Sequence, residues 1–347
     1  MAWAAIWQNG AEQPLDGFAA YRGAPDARLD ALTLWLEIAM PSRRRIPLRL
    51  WQGAAGGDGG ISIYLMPNGA LRVLHGETFD VETETGFLQP GQMLVLRMVL
   101  CARGRHDVID ALNADTGARH RIRHGLATAP RLEDALPADP GFAGLARVAA
   151  IATHVVPASD LPGLESGARV ATPEGDLPVE DIRPGMRVFG ADGAAHVVRW
   201  TDARDRLCIG RFAPVLLRAP YFGLGADTCV TPRTRLMRHG ADVEYLAGTD
   251  TVLVTAADLV SGPRAMFERS RPLRRFHHIM LDDPACLNVW RCRVETAFLS
   301  EVLSAEDAGW TAARPYAKDC QPSLPLLDRS AARALLARDS GARNFVI

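Results

Sequence analysis

Gly167-Ala-Arg-Val-Ala-Thr-Pro-Glu-Gly175, Pro178-Val-Glu-Asp-Ile-Arg-Pro-Gly-Met-Arg-Val188, Ala191-Asp-Gly193 and His196-Val-Val-Arg-Trp200 follow one another closely in this 347-residue chain. They read as a strand, a Pro-Glu-Gly turn, a second edge, a Pro184-Gly185 turn, a strand and an Asp192-Gly193 hairpin. Proline presets the backbone for a turn and glycine accepts positive φ, so the spacing predicts short strands in a compact all-β body.

Upstream of this stretch, Pro130, Pro137, Pro140, Pro157 and Pro162 crowd one segment. Proline at that density disfavours a continuous helix or central strand, although Phe142-Ala-Gly-Leu-Ala-Arg-Val-Ala-Ala-Ile has room for a short helix or a strand. A linker at 141–162 is the simplest expectation. Residues 1–140 then carry short strands between turn residues: Leu32-Thr-Leu-Trp-Leu-Glu-Ile, and Ile61-Ser-Ile-Tyr-Leu-Met before Pro67-Asn-Gly-Ala and Leu71-Arg-Val-Leu. Asn68-Gly69 predicts a tight hairpin with both residues at positive φ. Met93-Leu-Val-Leu-Arg-Met-Val-Leu-Cys is apolar enough for a central strand buried on both faces, and Asp115-Thr-Gly makes another turn. Strands at this spacing predict an antiparallel β-sandwich. Downstream, Asp328-Arg-Ser-Ala-Ala-Arg-Ala-Leu-Leu-Ala-Arg predicts a short C-terminal helix capped by Asp328 or Ser330 and stopped near Gly341. Ala332, Leu335 and Leu336 share its inward face. The fold class is all-β: a sandwich over 1–140, then a β module over 163–347 with its core at 163–300 and a tail and helix at 301–347.

The chain holds 39 Lys and Arg against 40 Asp and Glu, with 48% hydrophobic and 23% charged residues. That composition excludes disorder, and a net charge of −1 removes long-range attraction to nucleic acid or anionic membranes. No stretch reaches the roughly 18 apolar residues of a membrane helix, and the start lacks the basic and apolar regions of a cleaved signal. The expected location is cytoplasmic, or exported without a cleaved signal peptide. Lys318 is the single lysine, a usage that points to a GC-rich bacterial genome. Six cysteines, Cys101, Cys208, Cys229, Cys286, Cys292 and Cys320, form no CxxC pair and fit neither a disulfide framework nor a standard zinc site.

The stretch quoted first resembles the Hint module shared by inteins and the Hedgehog autoprocessing domain. The resemblance is to a bacterial subfamily that opens on a Cys-Phe-Thr-Pro-Gly-Thr-like sequence. Further blocks match in order: Ala213-Pro-Val-Leu-Leu-Arg-Ala219 with Gly223, Val230-Thr-Pro-Arg-Thr-Arg-Leu-Met237, Phe276-His-His-Ile-Met-Leu-Asp282 and Val294-Glu-Thr-Ala-Phe298. The N-terminal half resembles, in pattern alone, concanavalin-like and laminin-G-like sandwiches, some of which bind sugars; fold alone does not give function.

The resemblance implies a cysteine that attacks the preceding carbonyl and a histidine, in a Thr-x-x-His block, that protonates the departing amide nitrogen. A second histidine assists from a late block. Carried over residue by residue, Gly163 stands at the cysteine, with Pro162 before it and Leu164 at the aromatic position. Thr231 keeps the leading threonine, Thr234 stands at the histidine, and Pro284 stands at the late histidine. Glycine has no side chain, and a threonine hydroxyl is no proton donor of matched pKa at neutral pH. His278 matches a subfamily position within a strand.

Other candidates have plainer readings. Ser166, or Ser159, could replace the missing nucleophile, but a serine needs a base and the sequence names none. His277 and His278 with Cys286 and Cys292 could suggest a metal, yet neighbours on a strand face opposite ways, which predicts one core and one exposed histidine. Arg271-Pro-Leu-Arg-Arg275, with Arg264 and Arg269, lacks interleaved aromatics and reads as a solvated loop. Asp107, Asp110 and Asp115 could bind calcium but read as turn residues.

Three departures in three blocks predict a Hint fold without Hint catalysis, acting as a structural or binding module toward a protein or glycan ligand. No cofactor and no metal are expected. The alternatives are residual self-cleavage near Pro162-Gly163, by an N-to-S or N-to-O acyl shift, and carbohydrate binding by the sandwich.

Overall fold

The computed structural model describes residues 2–42, 47–55, 59–76, 79–102, 107–124, 129–157, 161–304, 322 and 324–339. The chain divides into two units, Met1–Ala158 and Ser159–Ile347.

The first unit contains β1 (Trp3–Gln8), β2 (Ala11–Glu12), β3 (Ala31–Ala39), β4 (Leu48–Gln52), β5 (Ile61–Leu65), β6 (Leu71–His75), β7 (Phe79–Glu82), β8 (Met93–Cys101), β9 (Asp107–Asn113), β10 (Arg119–His124) and β11 (Val148–Ala152). They form an antiparallel seven-stranded sheet, β10-β9-β8-β3-β11-β1-β2, and a four-stranded sheet, β4-β5-β6-β7. Alternation along the strands explains the packing. Leu32, Leu34, Leu36 and Ile38 of β3 and Leu94, Leu96, Met98 and Leu100 of β8 share one core with Trp51, Ile61, Ile63, Leu65, Leu71 and Val73 of the smaller sheet. This is a β-sandwich, and β8 is a central, buried strand within it.

Two local expectations change. The hairpin between β5 and β6 forms, but only Gly69 takes positive φ, at 85°. Asn68 instead accepts the Ala70 N–H on its side chain at 3.0 Å. A Cβ on residue 69 would lie 2.7 Å from the Leu88 carbonyl oxygen, so glycine is required there for space as well as for φ. The linker expected over 141–162 contains α1 (Pro140–Leu145), capped by Asp139, and then β11, which sits between β1 and β3 in the large sheet. The prolines fall outside β11, so Val148–Ala152 is free to supply ladder hydrogen bonds.

The second unit contains β12 (Leu164–Glu165), β13 (Arg169–Thr172), β14 (Gly175–Pro178), β15 (Arg187–Phe189), β16 (Ala195–Leu207), β17 (Val215–Leu217), β18 (Thr228–Val230), β19 (Arg235–His239), α2 (Ala241–Ala247), β20 (Thr251–Thr255), β21 (Ala265–Phe267), β22 (Leu273–Leu281), β23 (Cys286–Val289), β24 (Cys292–Glu295), α3 (Leu299–Ser304) and α4 (Arg329–Asp339). One sheet runs β15-β16-β22-β12-β18-β17-β21 and another β14-β13-β23-β24-β19-β20. Val170, Val188, Val198, Val230, Leu236, Val254 and Ile279 share a core that Ala332, Leu335 and Leu336 of α4 join from outside. The Asp328 carboxylate caps α4 by accepting from the Ser330 and Ala331 N–H groups, each at 2.8 Å. Gly341, Ser159 and Cys320 lie outside the described residues.

The arginine-rich stretch is a solvated loop only as far as Arg271: Arg269 and Arg271 lie outside the strands and are exposed. Arg274 and Arg275 belong to β22, where Arg274 meets Glu165 at 2.6 Å and Glu268 at 3.6 Å, and Arg275 meets Asp205 at 3.6 Å. Sheet pairing brings carboxylates from β12 and β16 to them, which the linear charge run could not reveal. Among the three aspartates, Asp115 accepts the Met93 N–H, Asp107 accepts the Cys101 N–H, and Asp110 pairs with Arg119. They are spread along β9 and its following turn, each committed to a protein donor. Among the described residues no helix is long and apolar enough to cross a membrane.

Candidate functional site

The site is built by one very short strand. β12 pairs with β22 on one side, Leu164 opposite His277, and with β18 on the other, Leu164 opposite Val230. Residues 161–165 therefore run between the block at 230–237 and the block at 276–282, and the side chains of both converge on Gly163. Leu161, Pro162, Gly163 and Leu164 are all buried.

Each polar group along this segment has a named partner. The Gly163 N–H donates to Thr234 Oγ1 at 3.0 Å. The Gly163 carbonyl accepts from the Thr231 N–H at 3.0 Å and lies 3.1 Å from Thr234 Oγ1. The Thr231 hydroxyl donates to the Leu161 carbonyl at 2.6 Å, and the two threonine oxygens are 3.0 Å apart. The Thr231 proton is used on Leu161, and the single Thr234 proton lies between the Gly163 carbonyl, to which it is donated, and Thr231 Oγ1. Two threonines thus satisfy backbone groups from Leu161 to Gly163 that water cannot reach.

His278 completes the ring of contacts. Its Nδ1 is 2.8 Å from the Pro162 carbonyl oxygen, which only accepts, so Nδ1 carries the hydrogen. The side chain is fully buried. Burial, helped by the positive charge of Arg206, drives its pKa down to about 3, with the bond to Pro162 opposing. The ring is neutral at physiological pH. A Cβ placed on Gly163 would lie 2.7 Å from His278 Cε1, 2.8 Å from Nδ1 and 3.2 Å from Thr231 Cγ2. The imidazole occupies the volume that any side chain at 163 would need.

Gly163, Thr231, Thr234 and His278 therefore come together. Pro284 lies past the end of β22 in the loop to β23, outside this hydrogen-bonded set. Among the described residues no three of His, Cys, Asp or Glu are grouped to hold a metal ion. His277 and His278 do face opposite ways, but His277 is half-buried instead of exposed, and its Nε2 lies 2.8 Å from Ser166 Oγ. A base for Ser166 thus exists, contrary to the sequence reading. The turn at Ser166-Gly167 folds the hydroxyl back onto β22, a contact between residues 111 apart that no local pattern announces.

Arg235 was also missed. Buried beside Thr234, its guanidinium meets Glu295 and makes two bonds to Glu301, at 2.6 and 3.0 Å, and lies 4.4 Å from the Phe298 ring. It ties β19 to β24 and α3 and fixes the strand that presents Thr234. Glu295, in the block 294–298, and Glu301 just after it were the available signal, 60 and 66 residues from Arg235.

The Hint domain family model matches residues 162–301 of this chain. These residues form a Hint domain. Solved structures similar to the chain include an intein, MchDnaB-1, at 16% identity over 38% of this chain and 98% of that one, with a TM-score of 0.26. Another is a bacterial intein-like domain from Clostridium thermocellum, at 14% identity over 40% and 99%, with a TM-score of 0.29. Likeness at this level carries no argument about chemistry. No curated protein matches the chain. The match lies within the second unit and stops before α4, and the β-sandwich stands outside it.

Proposed function

We propose that this Hint domain holds its own entering segment, Leu161 to Gly163, without cutting it, and serves as a structural or binding module. The observation that carries the reading is the space at Gly163: the His278 ring stands 2.7 Å from where a nucleophile's first carbon would be. Two further features support it. Breaking the 162–163 amide requires a proton on its nitrogen, since an unprotonated amide nitrogen is a very poor leaving group. Here the nitrogen's neighbour, Thr234 Oγ1, accepts the Gly163 N–H and offers no acid. His278 polarises the Pro162 carbonyl by donating to it, but a ring with a pKa near 3 has no second proton to give at neutral pH.

The purified full-length chain is expected to remain at 37.6 kDa through days with added thiol or hydroxylamine, read by intact mass. The Gly163→Cys variant is expected to stay whole as well, because restoring sulfur supplies no acid at Thr234. A fragment pair separated between Pro162 and Gly163 in the unmodified chain would overturn the proposal.

A further inference from the structure

The outward side of the same segment carries a second set of reactive groups. Ser166 follows β12 directly and is exposed; its N–H donates to the Arg275 carbonyl at 3.2 Å, which fixes the residue against β22. A serine in a turn ordinarily turns its hydroxyl onto a nearby backbone donor. Ser166 Oγ instead meets His277 Nε2 at 2.8 Å, across 111 residues of sequence. Glu180 stands at the same place, with Oε2 accepting the Gly167 N–H at 2.8 Å, and its charge acts on His277. A hydroxyl, an imidazole within hydrogen-bond reach and a carboxylate held nearby are the three parts of an activated nucleophile.

We propose that Ser166 and His277 form a nucleophile and base pair open to solvent, which takes acyl groups from small activated esters. Ser166 Oγ bonds to the ester carbonyl carbon, and the hydroxyl proton passes to His277 Nε2. The carbon–oxygen bond to the leaving group breaks, and that group departs with the proton from His277. Water then attacks the acyl-serine by the same route, with His277 taking a proton from water and returning it to Ser166. Burial holds the His277 pKa below its ordinary value, against the charge of Glu180 and Asp202 and with the help of Arg275 and Arg183, so the ring is a free base at neutral pH. Glu180 acts on His277 through its charge and takes no part in bond making. None of these residues belongs to the Gly163 contacts, so the inference stands or falls apart from the reading of the buried cleft.

The test treats the full chain at pH 7.5 with an alkyl fluorophosphonate and maps adducts by peptide mass. Ser166 Oγ bonds to phosphorus, fluoride leaves, and the proton goes through His277 to solvent. Ser166 is expected to label at least about tenfold faster than the other serines, a modest part of the ~10²–10⁴ that a positioned base supplies, because the site is open to water. His277→Gln should remove that advantage, and Glu180→Gln should move the midpoint of the labelling-against-pH curve downward. Labelling of Ser166 in the wild-type chain no faster than that of other exposed serines would overturn the proposal without reference to any variant. So would an unchanged Ser166 rate in a folded His277→Gln protein.

Discussion

His277 and His278 are consecutive residues on β22, yet they sit in different media. His278 faces inward, is fully buried and gives its Nδ1 hydrogen to the Pro162 carbonyl. His277 faces the other way, is half-buried, and meets an exposed serine. Alternation along a strand produces this difference from one step of sequence. It also separates two kinds of chemistry: the inward side has its polar groups tied to one another and has no room for a nucleophile, while the outward side has a nucleophile and a base with access to water. The residues on either end of one short strand, β12, belong one to each side: Gly163 before it to the first and Ser166 after it to the second.

Acid gives the largest test of this contrast. His278 has a folded-state pKa near 3, below its value of about 6.5 in an unfolded chain, so the unfolded state binds a proton that the folded state refuses. Stability from this group is complete above about pH 6.5 and is lost progressively as the pH falls toward 3, at up to ~1.36 kcal/mol per pH unit. Urea midpoints at pH 7, 5 and 4 should fall more steeply in the wild type than in His278→Asn. Equal slopes would mean that the ring is not the buried neutral group described.

Thr234→Val comes next. It leaves the buried Gly163 N–H without its acceptor and removes the oxygen facing Thr231, at a cost of about 1–3 kcal/mol measured by denaturant unfolding. A loss under about 0.5 kcal/mol would show that the threonine pair does not hold the segment. The smallest effect belongs to the outer side: Ser166→Ala should change stability by no more than about 0.5 kcal/mol, since the hydroxyl is exposed. A larger loss would make the Ser166–His277 contact a structural brace and remove the contrast between the two sides.

Much of the architecture was readable in the chain. Alternating residues in Leu32–Ile38, the turn dipeptides between 173 and 193, and the spacing of Ala332, Leu335 and Leu336 gave the strands, the turns and the helix face, because each depends on residues close together. Within the 141–162 segment the boundary falls late, after Ala158, for a related reason. Proline density is a local signal, whereas the place of Val148–Ala152 between β1 and β3 depends on strands more than 100 residues away. The same holds for Arg274 and Arg275, whose carboxylates arrive from β12 and β16. The ordered blocks pointed to Gly163, Thr231, Thr234 and His278, which the fold brings into contact, but their residue types alone carried no distances. The base of Ser166 and the Arg235 anchor had no local trace at all.

The sequence by itself determined that the carbon bearing residue 163 has no side chain and that residue 234 is an alcohol, facts of covalent composition that folding does not change. The tertiary structure alone decided that the vacated space is filled by the His278 ring, that the ring is neutral there, and that its neighbour reaches a serine. Proximity and dielectric environment set those properties, and both arise only when β12 is laid between β22 and β18.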